Sequence, residues 1–179
     1  MANEKQSPVQ VLFVCMGNIC RSPMAEGVFR HRLRERAGER VLDENIGVDS
    51  AGTHSYHVGS APDKRAQAAA SRRGVDISAL AARPVGPNDF ERFDYILAMD
   101  ADNFDFLIGE ADVEHRGKIK LFLDYSTTRQ GGEVPDPYYG GAVGFERVLD
   151  LIEDATEGLL DELLNAAKLA DAARGAPES

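Results

Sequence analysis

Cysteine is nearly absent from this chain. Cys15 and Cys20 are the only two among 179 residues, which excludes a disulfide framework. No further ligands stand at metal spacing around them, which excludes a zinc site of the paired-cysteine kind. Histidine is as sparse. His31, His54, His57 and His115 form no His-Glu-x-x-His and no cluster, so neither a metal nor any other cofactor is expected. No stretch approaches 18 consecutive apolar residues, which excludes a membrane-spanning helix. MANEKQSPVQ has no long apolar run behind a basic start, so no secretory signal is expected. Positive charge is also in deficit. Twenty Lys and Arg face thirty Asp and Glu, a formal net charge of -10. A surface of that sign repels nucleic acid and anionic lipid at long range. An anionic substrate must therefore be drawn in by a local positive site. The expectation is a cytoplasmic protein with free thiols.

What is present is ordinary for a folded domain: 43% hydrophobic and 28% charged residues. The length fits one domain, expected over 8–174, with a flexible N-terminus over 1–7 and a flexible tail over 175–179. Val9 to Val14 (VQVLFV) is a short apolar, β-branched run, the pattern of a strand buried on both faces. Met24 to Arg36 reads as a helix with Met24, Val28, His31 and Leu33 along one face and Pro23 in its first turn. A second strand falls late in Val41 to Val48 and ends in DSAGT. Ala66 to Arg73 is helical and stops at Gly74. Phe93 to Met99 (FDYILAM) is a third strand. Asp100 is placed to cap a helix to about Ile108. Lys118 to Leu123 (KIKLFL) is a fourth strand. TTRQGGEVPDPYYGG is a long loop, and Phe145 to Leu169 is a helix. Strands alternating with helices predict an α/β fold: a parallel sheet covered by helices on both faces.

The informative segment is Cys15-Met16-Gly17-Asn18-Ile19-Cys20-Arg21-Ser22. It follows a buried strand and opens a helix, where parallel sheets bind ligands. The amides of such a loop can converge on one anion, and the helix N-terminus adds positive potential. Gly17 lets the backbone bend close to a ligand, and Asn18 tolerates left-handed geometry. A Cys15 thiol in that setting, near Arg21, is expected to ionise easily and act as a nucleophile. The planar fork of Arg21 can grip two phosphate oxygens, and Ser22 can donate to the thiolate. A bare Cys-x5-Arg is a weak signal; the strand before, the helix after and the Gly, Asn and Ser within make it specific. The plain alternative is a buried Cys at a strand end and a surface Arg. A phosphocysteine mechanism also needs an acid to protonate the leaving oxygen. Asp136, stiffened by Pro135 and Pro137, is the candidate; the alternative is an ordinary Pro-Asp-Pro bend.

VCMGNICRSPMAE, SAGT, FDYILAMD and DPYYG, in that order along nearly the whole chain, resemble the low-molecular-weight protein tyrosine phosphatases. The resemblance implies a single-domain, three-layer, flavodoxin-like fold around a four-stranded parallel sheet. It implies attack on phosphorus by Cys15, phosphate binding by Arg21 and the loop amides, and Asp136 as general acid and then base. It implies that Ser22 stabilises the thiolate and that Asn18 holds the loop's shape with Ser50 as partner. A histidine common in that network is replaced here by Ala79, so a shorter network is expected. Cys15 and Cys20 become a redox pair, in which an oxidised Cys15 is captured as a disulfide. Phosphotyrosine proteins, inorganic phosphate and other oxyanions are the implied ligands. A cognate kinase acting on Tyr138 and Tyr139 is a further implied partner, and the expected state is a monomer or weak dimer.

Within that superfamily, arsenate reduction needs cysteines after Cys20, and there are none. Arginine phosphatases tend to carry Thr at the position of Ile19 and lack the tyrosine pair. Ile19, Tyr56, Tyr138 and Tyr139 instead suit a flat aromatic slot for a phenyl ring. Arginine phosphatase and a phosphotyrosine-binding module without turnover remain the alternatives. The basic stretch from His31 to Arg40 reads as a solvated face, or as a docking surface for acidic proteins.

Overall fold

The computed structural model describes residues 8–38 and 45–175, with side chains through 167. The expected loose segment 1–7 and residues 176–179 of the expected tail lie outside the described residues. Gly175 itself closes the last helix. Four strands, β1 (Val9–Cys15), β2 (Ile46–Gly52), β3 (Tyr95–Ala98) and β4 (Ile119–Leu121), form one sheet in the order β2-β1-β3-β4. Every pairing is parallel, with Val11 opposite Val48 on one side and Tyr95 on the other. The helices are α1 (Arg21–Ala37), α2 (Lys64–Arg72), α3 (Pro87–Arg92), α4 (Ala101–Glu110) and α5 (Ala142–Gly175).

Period-two alternation along β1 sorts the core into two layers. Val11, Phe13 and Cys15 face a cluster that includes Met24, Phe29 and Leu33 of α1, Ala66 and Ala70 of α2 and Phe145, Leu149 and Leu160 of α5. Leu12 and Val14 face the opposite layer, with Phe90 of α3, Phe93 and Leu107 of α4. Phe13 sits at the centre of the first layer, its ring 5.0 Å from that of Phe122 and 5.7 Å from that of Phe29. Truncation of so enclosed a ring costs about 3–5 kcal/mol.

β2 ends within DSAGT as expected, and it accommodates Asp49 and Ser50 because both polar side chains find partners: Asp49 meets Arg83 and Ser50 meets Glu26. Other boundaries differ from the sequence reading. β4 stops at Leu121, and Phe122–Tyr125 winds into a 3-10 turn. Phe122 and Leu123 are both buried in the same layer, which consecutive residues of a strand cannot achieve. α3 was not expected. Its signals are Pro87 in the first turn and Asp89, whose carboxylate accepts from the Gly86 N–H at 2.8 Å. His31 leaves the apolar face of α1 and pairs with Glu35 at 3.3 Å.

The acidic surplus is spent partly on α5. Arg36 of α1 meets Glu157 at 3.2 Å and Asp161 at 2.6 Å, and Arg32 meets Glu35 at 3.1 Å. Arg73, capping α2, meets Glu146, Asp150 and Glu153 within 3.1 Å. His31, Arg32 and Arg36 of the basic stretch are thus matched by carboxylates of their own chain, which favours the solvated-face reading over docking.

Candidate active site

The loop 16–20 leaves the carboxyl end of β1 in the middle of the sheet and enters α1 directly. Carbonyls at and after the strand end are held by other segments: Thr53 N–H donates to Cys15 O (2.9 Å), His54 N–H to Met16 O (3.0 Å) and Asp63 N–H to Ile19 O (2.8 Å). Among the described residues, no N–H of Gly17, Asn18, Ile19 or Cys20 donates to a protein acceptor. α1 has no side-chain cap and no acidic residue in its first turn. Its N-terminal potential is therefore left for an anion.

Asn18 is the only described non-glycine residue with positive φ, at 55°, a conformation that Asn tolerates better than most. The amide that holds it is satisfied on both sides. Asn18 Oδ1 accepts from Arg83 N (3.0 Å), and Nδ2 donates to Ser22 Oγ (2.8 Å) and Ser50 Oγ (3.0 Å). Ser22 Oγ lies 3.0 Å from Cys15 Sγ. Gly17 is not left-handed. A Cβ there would stand 3.0 Å from His57 Cδ2, a tight contact that a small shift of the His57 ring would have to relieve. Gly52 is tighter: a Cβ would stand 2.8 Å from Met16 O and 3.2 Å from Asn18 N.

Arg21 is buried, with its side chain 3% exposed, and is aimed by three groups. Nη1 donates to Asp100 Oδ2 (2.5 Å) and Val134 O (3.0 Å), and Nη2 lies 3.7 Å from Asp136 Oδ2. Burial pulls the guanidinium pKa down, but Cys15, Asp100 and Asp136 outweigh it, so Arg21 stays charged. Asp100 has two tasks, since its Oδ1 also caps α4 through Asn103 N at 2.8 Å. The sequence reading gave it only the cap. Its place at the carboxyl end of β3 was the signal that it faces the site.

Asp136 reaches the cleft on the long loop before α5. Val134 N–H donates to Met99 O (2.7 Å), which ties the loop to the end of β3, and Tyr138 N–H donates to Asp136 Oδ1 (3.0 Å). The cleft, about 200 Å³, brings Cys15, Ile19, Cys20, Arg21, Tyr56, Asp136, Tyr138 and Tyr139 together. Met16 and Gly17, both expected in the loop, line it too; His57 also lines it and was not expected. Tyr56 and Tyr139 are 79% and 96% exposed, so they form a rim. The Tyr138 and Tyr139 rings meet edge to face, with centroids 4.9 Å apart, and Arg65 lies 5.5 Å over Tyr138. Both cysteines are free and buried. Burial, then Asp63, Cys15 and Asp136, pushes the Cys20 thiol up to about 12. No group of three or more metal-ligating side chains occurs among the described residues.

A parallel α/β sheet carrying a cysteine-and-arginine phosphate loop at the end of its first strand defines a class of phosphate-handling proteins. The family profile "Low molecular weight phosphotyrosine protein phosphatase" matches residues 10–169. The chain is 41% identical over 161 residues to the low molecular weight protein-tyrosine-phosphatase YfkJ of Bacillus subtilis, covering 90% of this chain and 99% of YfkJ. It is 41% identical over 146 residues to the human low molecular weight phosphotyrosine protein phosphatase, covering 80% and 89%. The crystal structure of a protein tyrosine phosphatase from Entamoeba histolytica with Hepes in the active site superposes with a TM-score of 0.82 at 43% identity, covering 89% and 99%. The chain belongs to the low molecular weight phosphotyrosine protein phosphatase family, and is a phosphatase of the protein-tyrosine class.

Proposed function

We propose that this enzyme hydrolyses phosphotyrosine in proteins through a phosphocysteine, with Cys15 as nucleophile. The observation that carries the reading is the meeting of Cys15, Arg21 and Asp136 in one cleft rimmed by Tyr56, Tyr138 and Tyr139. The Cys15 sulfur attacks phosphorus in line as the bond from phosphorus to the tyrosine oxygen breaks. Arg21 and the free amides of 17–20 take up the equatorial oxygens. Asp136 gives its proton to the departing phenolate oxygen, so tyrosine leaves neutral. The resulting carboxylate then accepts a proton from water as that water attacks the phosphocysteine. Inorganic phosphate departs and Cys15 returns as thiolate, stabilised by the Ser22 hydroxyl.

Cys20 does not compete as nucleophile, because burial keeps it a thiol at neutral pH. In the same reading it captures a sulfenic acid on Cys15 as a disulfide. The aromatic rim and the apolar Ile19 favour a phenyl ring over a guanidinium. Sulfonates and other oxyanions bind in the same cradle, in line with the Hepes named for the E. histolytica relative. The free thiols suit a reducing, cytoplasmic setting.

The test is phosphate release, with chelator present, from matched phosphotyrosine, phosphoserine and phosphoarginine peptides. Turnover of phosphotyrosine alone is expected. Preference for phosphoarginine would overturn the roles given to Ile19, Tyr56 and Tyr138. Binding of phosphate without turnover of any peptide would make the protein a binding module.

A further inference from the structure

A protein substrate brings its backbone to the mouth of the cleft, so the residues that flank the phosphotyrosine must lie on the surface next to it. On one side that surface is a row of rings. Tyr56 stands on the rim. His54 follows with its centroid 5.4 Å from that of Tyr56, and Phe106 of α4 follows His54 at 6.5 Å. Neighbouring planes are inclined by only 38° and 34°, so the rings offer successive faces along one path. The row is fixed to the cleft wall. Thr53 and His54 give their N–H groups to the Cys15 and Met16 carbonyls, and Thr53 Oγ1 lies 2.8 Å from His54 Nδ1, which orients the ring.

The row ends in a second depression of about 70 Å³, between the start of α3 and α4. Val85, Gly86, Pro87, Phe90, Phe106 and Glu110 line it. Phe90 is buried, while Phe106 keeps 38% of its surface open. α4 buries Asn103 and Leu107, which leaves Phe106 beside its inward stripe. Along the outer face of α4, Phe106 stands between Asp102 and Glu110, one helical turn to either side and both exposed. Single exposed apolar side chains are ordinary on a protein surface. A continuous row that joins a catalytic cleft to an apolar depression has a use when the substrate is itself a chain.

We propose that this depression is a docking subsite for the phosphotyrosine protein: it takes an apolar side chain about four residues from the phosphotyrosine, with a Lys or Arg next to that side chain facing Asp102 and Glu110. The inference rests on the function proposed above. The spacing follows from the row, because the steps from Tyr56 to His54 and on to Phe106 together match about four residues of extended chain at roughly 3.3 Å each. The apolar choice follows from the lining. The basic neighbour follows from the two carboxylates that flank Phe106, in a chain whose net charge is -10.

The test is a scan with phosphotyrosine peptides built otherwise of Gly and Ser. Each carries one Leu-Lys pair, placed from about two to six residues before or after the phosphotyrosine. The wild type is expected to gain about tenfold in kcat/KM at one spacing near four, through KM, as befits partial burial of one leucine. Phe106→Ala should lose that gain while hydrolysing nitrophenyl phosphate, which has no flanking chain, at the wild-type rate. Leu-Glu at the same spacing should be about threefold worse than Leu-Lys, and Glu110→Lys should reverse that preference. No gain at any spacing in the wild type overturns the proposal without recourse to a variant. A gain that survives in Phe106→Ala also overturns it, and would route the substrate over Tyr138 and Tyr139 instead. So does a wild-type dimer that Phe106→Ala dissolves, which would make the row a contact between copies. A wild type that hydrolyses none of these peptides sinks the proposed function; fluorescence anisotropy of the same peptides then decides the subsite alone, by whether Leu-Lys tightens binding and Phe106→Ala abolishes the difference.

Discussion

Replacement of Asp136 by Asn should move catalysis and anion affinity in opposite directions. Asn keeps the side-chain oxygen that accepts from Tyr138 N–H at 3.0 Å, so the turn should persist while the proton and the charge are lost. Without the proton, hydrolysis of an ester with a poor leaving group such as tyrosine should slow about 10²–10⁴-fold, the usual worth of a placed general acid. A nitrophenyl ester needs little protonation and should lose far less. The charge acts the other way. Asp136 Oδ2 stands 3.7 Å from Arg21 Nη2, where bare attraction at an effective dielectric of about 20 is roughly 4 kcal/mol. The Asp136 side chain is 40% exposed, and solvent screening reduces that to about 1 kcal/mol. A phosphate dianion must compete with this carboxylate for Arg21. Its removal should therefore tighten inorganic phosphate about fivefold. The assay pairs rates on tyrosine and nitrophenyl phosphates with the inhibition constant for phosphate. Equal losses on both esters would remove Asp136 as the acid. Weaker phosphate binding in a folded variant would refute the electrostatic argument.

Cys15→Ser should abolish turnover but retain phosphate or vanadate binding, because the cradle is backbone and Arg21; titration calorimetry against near-normal hydrolysis decides it. Gly52→Ala places a Cβ 2.8 Å from Met16 O and 3.2 Å from Asn18 N. Backbone must then move, at a cost of about 1–3 kcal/mol, and phosphate affinity should fall with stability; unchanged affinity would mean that the loop shape is not held by β2. At Asp154 burial pushes the pKa up, but the bonds from Ser126, Thr127 and Thr128 outweigh it and lower it from 3.8 to about 2. A depressed carboxylate stabilises the fold above its unfolded pKa and loses that contribution as pH falls toward the folded one. Asp154→Asn should thus cost roughly 1 kcal/mol, after allowance for solvent exposure, in urea unfolding at pH 6. The difference should shrink between about pH 4 and 2; a gap that widens in acid would contradict the assignment.

Local sequence determined much of this protein. Apolar runs bounded by polar turns marked β1 and β3, because strands buried on both faces carry little else. The strand, glycine-bearing loop and helix from Val9 onward marked an anion site, because amides at a helix start must find an acceptor. Long-range pairing decided the rest. α3 owes its place to Asp89 meeting Gly86 N–H and Arg83, a balance that no hydrophobic period records. β4 ended early because Phe122 and Leu123 both turned into one layer. The second task of Asp100 and the burial of Glu26 also escaped the sequence reading, since each depends on a partner far along the chain: Asp100 is 79 residues from Arg21, and Ser50 is 24 residues from Glu26. The sequence supplied the reacting groups, whose chemistry is local. Only the tertiary structure could decide their aim, because that depends on which groups the sheet and helices bring within about 3 Å.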